Sequence, residues 1–278
     1  MTTDGSTGGT NAPAPFSGRV AFVTGAGSGV GAAVARRFVA AGASVVAVDV
    51  DGAGLERLGA ELSSDRLVTA VADVTLRAEL DDAVARGRER FGTVDTVAAI
   101  AGIVRFAAFD ETTDEDRDAV LGVNFVGVWN AVRAALPDIR QSRRDGRPGR
   151  VVLCGSIESV LGSAGLCAYV AAKHAVVGLA KCLALELAAE EITANVVSPA
   201  GVDTPMLRGV LPPEALAAFK ASTPIARLSS PDEIAAFFLF VASDDAAYMT
   251  GENIVVDGGT KVVNAHVVAM RGSASAAT

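Results

Sequence analysis

Tyr169 and Lys173 stand four positions apart, and Ser156 lies thirteen residues before the tyrosine. On a helix, residues i and i+4 share a face, so this spacing points the phenol and the ammonium into one cleft. A phenol, with an unperturbed pKa of about 10, is a poor acid/base at neutral pH, and a fixed cation beside it stabilises the phenolate. Tyr169 is therefore a candidate general acid/base. The run Val151-Val-Leu-Cys-Gly-Ser156 reads as a buried strand ending in a small polar residue, and 168–188 reads as a long apolar helix. A serine in that position can hold a carbonyl or hydroxyl oxygen while the tyrosine passes it a proton. Taken alone, it would simply cap a turn.

A second group of residues supplies the other half of a hydride-transfer site. Thr24-Gly25-Ala26-Gly27-Ser28-Gly29-Val30-Gly31 follows the strand-like Arg19-Val-Ala-Phe-Val23 and precedes a helix with Val30, Val34 and Phe38 on one stripe. Glycines let the backbone approach a pyrophosphate closely and present a helix N-terminus to its charge. The spacing is Gly-x-x-x-Gly-x-Gly; Gly-x-Gly-x-x-Gly fails from Gly25 because Val30 stands at the last glycine. The next strand, Ser44-Val-Val-Ala-Val-Asp49, ends in the carboxylate that would bond the adenosine ribose hydroxyls. A 2′-phosphate would meet like charge there, and neither the loop nor the residues just after Asp49 offer it an arginine. Arg36 and Arg37 lie deeper in the helix and are expected to face solvent. These features predict NAD as cofactor in preference to NADP.

From about Arg19 to Gly259 the chain resembles the short-chain dehydrogenase/reductase family, several independent motifs occurring in the expected order. The resemblance implies that Ser156, Tyr169 and Lys173 form the catalytic set, with Lys173 also binding the nicotinamide ribose. It implies that Asn124, in Gly122-Val-Asn-Phe-Val-Gly127, kinks a helix and completes a proton relay. It further implies that Asp73 and Val74 border the adenine and that Ala101 and Gly102 lie beside the adenosine. Pro199 to Thr204 would close over the nicotinamide, with Val202 and Thr204 contacting its carboxamide. Two departures stand out. Ala98-Ala-Ile-Ala-Gly102 lacks the asparagine that the family often carries before Ala-Gly, which predicts a different tie between strands. Pro199-Ala200-Gly201 has an alanine where a glycine commonly follows the proline.

These residues must be positioned by one doubly wound α/β domain. With 278 residues and 50% hydrophobic content, the alternation of strands and helices runs unbroken. Strands are expected near 19–24, 44–49, 67–72, 94–100, 149–155, 192–198 and 252–257, mostly parallel, with helices on both faces. Residues 1–17 read as a flexible tail, 18–260 as the cofactor-binding and catalytic domain, and 261–278 as an extension. The extension, with its apolar Val262 to Met270, would pack on a neighbouring subunit or on its own domain. The longest charge-free run has 16 residues, Val20 to Ala35. A membrane span needs about 20 apolar residues, so no membrane association is expected, and no secretory signal is evident.

Cys154, Cys167 and Cys182 are expected to be buried thiols in a reducing cytoplasm, and with His174 and His266 they show no metal-ligand spacing. His174 is read as a packing residue. A net charge of −8 argues against nucleic-acid binding, and the five arginines of 140–150 read as a solvated loop.

Strand ends suggest a substrate wall of Ile103, Val104 and Phe106, then Ile157, Glu158 and Leu161, then Met206, Leu207 and Val210. The set is largely apolar and favours an uncharged secondary alcohol or ketone, cyclic skeletons included. Glu158 would either bond a substrate hydroxyl or ammonium, or lie exposed on its loop. Pro205 to Pro224 reads as a lid. The family scaffold also supports a 3-oxoacyl thioester reductase, and a nucleotide-sensing protein without turnover is a third reading. The resemblance implies a homotetramer, with the last strand and the helices near 113–136 and 168–188 at its contacts.

Overall fold

A computed structural model describes residues 14–263 of the chain. Short runs rich in valine, isoleucine and alanine form seven strands: β1 Val20–Thr24, β2 Ser44–Asp49, β3 Leu67–Val71, β4 Thr96–Ala99, β5 Gly149–Cys154, β6 Ile192–Pro199 and β7 Asn253–Val256. All pair in parallel, in the order β3-β2-β1-β4-β5-β6-β7. The strands lie where the sequence places them, differing only at their ends. The largest difference is at β4, where Val94 N donates to the Asp138 carboxylate instead of to a strand.

The helices of the described residues are α1 Gly29–Ala40, α2 Gly52–Leu62, α3 Arg77–Phe91, α4 Asp114–Leu121, α5 Gly127–Arg144, α6 Cys167–Leu187, α7 Pro205–Val210, α8 Pro213–Ser222 and α9 Pro231–Ala242. Parallel strands covered on both faces must be apolar on both. Val34, Phe38, Leu55, Leu58, Ile234 and Phe238 from α1, α2 and α9 fill one side of the sheet. Leu80, Val84, Val128, Ile139, Val176 and Leu187 from α3, α5 and α6 fill the other. The winding reverses between β1 and β4, and the loops leaving these neighbours diverge into a crevice, the usual ligand site of such sheets.

Several expectations are corrected. Of the tail expected over 1–17, residues 14–17 pack on the domain. Phe16 is buried, its N–H donates to Ala41 O at 2.9 Å, and its ring meets Phe38 edge-on at 5.2 Å between centroids. Residues 1–13, and the extension beyond Val263 with His266, lie outside the described residues. The arginines of 140–150 are not a loop: Arg140, Arg143 and Arg144 end α5, and Arg150 is buried in β5. Acidic partners draw them in, Arg140 pairing with Glu190 at 2.9 Å, Arg143 with Glu191, and Arg150 with Asp244 at 3.3 Å. Of the cysteines only Cys154 is buried, because Cys167 and Cys182 fall on the outer face of α6. Two helical stretches, Asp114–Arg144 and Cys167–Glu190, reach the length and mean hydropathy of a membrane span. Neither is a charge-free run, since Arg133 and Asp138 interrupt the first and Lys173 and Lys181 the second. Both lay an apolar face on the sheet.

At the N-terminal ends of the strands, opposite the crevice, Asp95 ties β1 to β4. Its fully buried carboxylate accepts from Val20 N at 2.6 Å, Arg19 Nε at 2.7 Å and Thr96 Oγ1 at 2.7 Å. Removing one partner from such a buried pair strands the other charge, at a cost of about 3–5 kcal/mol. Asp95→Ala should therefore lower unfolding stability by about that amount in urea denaturation; a midpoint equal to the parent's would refute this account of the β1–β4 junction.

Candidate active site

The crevice is a cavity of about 650 Å³ along the C-terminal ends of the strands. At one end, the turn after β1 folds back so tightly that a Cβ on Gly31 would stand 2.0 Å from Gly25 O. Only glycine fits there, and the first turn of α1 consequently opens beside the chain leaving β1. Gly25, Ser28, Gly29, Val30 and Gly31 line the cavity. Gly27 does not, and serves another purpose: its N–H donates to Asp49 Oδ2 at 2.8 Å, while Asp49 Oδ1 accepts from Asp51 N at 2.9 Å. The Asp49 carboxylate is thus fixed at the tip of β2 and lines the cavity. Nearby guanidinium groups are engaged elsewhere. Arg57 lies 3.3 Å from Asp51, and Arg36 and Arg37, partly exposed as expected, pair with Glu61 and Asp232.

Asp73, Val74, Ala101 and Gly102 follow along the wall. Asp73 Oδ1 accepts from both the N–H and the hydroxyl of Thr75 at 2.8 Å. The missing asparagine is replaced from the neighbouring strand, where buried Thr24 Oγ1 accepts from Ile100 N at 3.0 Å and Ala101 N at 3.2 Å. Gly102 remains glycine for clearance, since a Cβ would approach Asn124 Oδ1 to 2.7 Å.

Asn124 sits in a π turn, Gly122–Val126, between α4 and α5, where Gly127 N donates to Gly122 O. Its Nδ2 donates to Ile103 O at 2.8 Å and Val120 O at 2.9 Å, and its buried Oδ1 has no protein partner. The kink expected at this asparagine is therefore a single widened turn, a form often found at functional sites.

Lys173, 3% exposed, donates from Nζ to Cys154 O at 2.9 Å and lies 5.5 Å from the centroid of the Tyr169 ring. Both residues line the cavity from α6, as the i, i+4 spacing requires. Burial pushes the Cys154 thiol up, and the Lys173 ammonium opposes this only in part. Ser156 combines its two expected readings. It caps the short 3₁₀ turn Ile157–Ser159, with Oγ accepting from Glu158 N at 3.2 Å, and it lines the cavity as well. An oxygen that accepts from a backbone N–H keeps its own proton to donate.

Pro199, Val202 and Thr204 leave the end of β6 along the cavity wall, and Thr204 Oγ1 caps α7 by accepting from Leu207 N at 3.3 Å. Ala200 causes no disruption, its N–H donating to Val256 O at 3.1 Å. Ile103, Val104, Phe106, Ile157, Met206, Leu207 and Val210 all line the substrate end. Leu161 does not. It lies two residues past the 3₁₀ turn, on the exposed side of the loop. Glu158 is not the exposed loop carboxylate that one reading allowed: it lines the cavity, and Ser163 Oγ donates to its Oε1 at 2.8 Å. His174, expected to pack, is exposed on α6 and contacts Val170 O through Nδ1. Ser163, Leu166, Leu211 and Phe219 belong to the wall but escape sequence reading, because none stands at a strand end: Ser163 and Leu166 precede α6, Leu211 follows α7 and Phe219 lies in α8.

The arrangement fits a dinucleotide: a cradle that a side chain would fill, an open helix start, and a carboxylate fixed at the tip of the second strand. A family model described as enoyl-(acyl carrier protein) reductase matches residues 25–261. The oxidoreductase UcpA of Escherichia coli O157:H7 is 35% identical over 255 residues, covering 88% of this chain and 95% of that protein. The 2,3-dihydro-2,3-dihydroxybenzoate dehydrogenase of Bacillus subtilis (strain 168) is 35% identical over 253 residues, covering 87% of this chain and 95% of that protein. A crystal structure of 3-ketoacyl-(acyl-carrier-protein) reductase from Brucella melitensis, complexed with NADH, superposes with a TM-score of 0.82 at 34% identity, over 88% of this chain and 99% of that one. At such identity and coverage the likeness extends beyond the fold, and the chain belongs to the short-chain dehydrogenase/reductase family of oxidoreductases.

Proposed function

We propose that the protein is an NAD-dependent dehydrogenase or reductase acting on an uncharged, largely apolar secondary alcohol or ketone. The carrying observation is the buried Lys173 ammonium, held by Cys154 O one helical turn from Tyr169, with Ser156 on the same cavity. When bound, NAD supplies the hydride acceptor. The protein moves the proton: the Tyr169 phenol takes it from, or gives it to, the substrate oxygen, which the Ser156 hydroxyl holds by donating to it. The fixed Lys173 charge lowers the cost of the phenolate. Asn124, whose buried Oδ1 has no protein partner, would complete the proton relay that the family resemblance implies.

Asp49 would bind the adenosine ribose hydroxyls, and the glycine turn with Gly25 to Gly31 the pyrophosphate. Asp73 and Val74 would border the adenine, with Ala101 and Gly102 alongside, and Pro199, Val202 and Thr204 would face the nicotinamide. The apolar wall favours ketones without phosphate or carboxylate groups. The Bacillus relative, named for a dihydroxylated benzoate, favours cyclic ones, although that ring bears a carboxylate this apolar wall does not favour. A 3-oxoacyl thioester reductase is the second enzymatic reading, favoured by the name of the Brucella structure. Asp49 and the net charge of −8 weigh against it, since such an enzyme is expected to use NADPH and a basic docking surface. We place the protein in the cytoplasm as a homotetramer, a reading supported by the exposed Val126, Trp129 and Leu185 on the long helices.

Tyr169→Phe should retain NADH binding and lose turnover by about 10²–10⁴-fold; a variant as active as the parent would remove Tyr169 from the chemistry, and a parent without turnover on any alcohol or ketone would favour the sensing reading. NAD should exceed NADP in kcat/KM, and Asp49→Ala should shrink that ratio by more than about tenfold, since a like-charge contact costs several kcal/mol. A parent that favours NADP would overturn the cofactor assignment. The wall formed by Met206, Leu207, Val210 and Phe219 supports a lid over Pro205–Pro224 that closes on substrate and excludes water. NADH with a bound ketone should slow proteolysis within that segment, and equal cleavage with and without them would count against closure.

A further inference from the structure

Beside the hydroxyls of Ser156, Ser163 and Tyr169, the substrate end of the cavity carries one carboxylate among apolar residues. Ile103, Val104, Phe106, Ile157, Leu166 and Met206 surround Glu158, and the ammonium nearest the chemistry, Lys173, is committed to Cys154 O. Ser163 Oγ donates to Glu158 Oε1 at 2.8 Å and so holds the side chain in place. Glu158 Oε2 is buried and has no protein donor within hydrogen-bonding reach. Its backbone N–H bonds Ser156 Oγ at 3.2 Å, so the carboxylate and the hydroxyl that would hold the reacting oxygen belong to one short turn. A buried acceptor left unpaired is costly, and a ligand whose donor meets it, with a small turn of the carboxylate toward the cavity, relieves that cost. A ligand without one does not.

We propose that Glu158, held by Ser163, is a specificity-determining acceptor for substrates that carry a second hydrogen-bond donor, a hydroxyl or a protonated amine, next to the reacting carbinol on an otherwise apolar skeleton. The inference rests on the dehydrogenase reading, narrows its uncharged substrates to vicinal diols and the corresponding α-hydroxy ketones, and extends the class to protonated amino alcohols. Ser156 and Tyr169 address the reacting oxygen, and Glu158 addresses its neighbour. Specificity then comes from an acceptor that the wrong substrate leaves unpaired, a stronger discriminator than apolar fit.

The test uses the full chain saturated with NADH and three probes of one skeleton: indan-1-ol, cis-indane-1,2-diol and cis-1-aminoindan-2-ol. Dissociation constants by calorimetry should show the diol and the amino alcohol binding more tightly than the mono-ol by about ten- to a hundredfold, as expected for a hydrogen bond to a charged group. Glu158→Leu should bring the ratios close to one. Glu158→Gln, which keeps a carbonyl acceptor and loses the charge, should preserve a preference for the diol and lose the additional advantage of the amine. Ser163→Ala, which frees the carboxylate from its holder, should reduce both ratios in part and serves as the control should the leucine variant fold poorly. Equal affinities for all three probes in the parent protein, or ratios unchanged by Glu158→Leu and Glu158→Gln, would overturn the proposal. An advantage confined to the amine, or to the diol, identifies which donor the site takes. Because the readout is binding, the two readings fail separately. Absence of Tyr169-dependent turnover with the binding ratios intact defeats the dehydrogenase and leaves the acceptor site standing. Turnover without discrimination defeats the acceptor site alone.

Discussion

A lysine with its ammonium withdrawn from water dictates much of the geometry described above. Moving such an ion out of solvent costs several kcal/mol even after relaxation, and among the described residues the hydrogen-bond partner of Lys173 Nζ is a single carbonyl, Cys154 O. That bond is possible only if the face of α6 bearing Lys173 lies against the end of β5, so it fixes one helix against one strand. Tyr169 follows because it lies one turn earlier on α6, and Ser156 because it lies two residues beyond the accepting carbonyl. The burial of Val176, Ala180 and Leu187 further along the helix supplies the apolar packing that offsets the desolvation.

Features that obey a local rule were legible in the sequence. The strands are short apolar runs rich in valine and alanine, the glycine turn declares itself through residues such as Gly31 that no side chain could replace, and the Tyr169–Lys173 pair follows from helix periodicity. What escaped reading depends on contacts distant in sequence. The arginines of 140–150 look like a charged loop until Glu190, Glu191 and Asp244 are brought beside them. Phe16 looks like part of a tail until Phe38 and Ala41 give it a pocket. Leu161 and Glu158 are near neighbours in sequence, yet a 3₁₀ turn sends one outward and the other into the cavity, a distinction that spacing alone does not carry. Cys167, Cys182 and His174 were assigned by the habits of their residue types, whereas the outer face of α6 decides their exposure.

The two ends of the cavity also explain how departures from the family pattern are tolerated. Where an asparagine is missing after β4, the Thr24 hydroxyl of the adjoining strand accepts the same kind of backbone donors. Where alanine follows Pro199, its N–H continues the pairing of β6 with β7 through Val256 O. In both places the backbone donors are satisfied, by a side-chain hydroxyl in the first and by a backbone carbonyl in the second.

The π turn at Gly122–Val126 has a consequence for how this region can vary. It carries one residue more than an α-helix needs over the same rise, and that surplus brings Asn124 inward against Ile103 and Val120. Drawing the turn into regular α-helix with that residue retained would merge α4 and α5 and turn everything on one side by about 100° relative to the other. Such a helix would be locally more comfortable and globally out of phase, with Val128 and Val132 rotated off the sheet. The segment is thus poised between two well-formed helices, and the packing of α5 on the sheet selects the one that contains the irregularity.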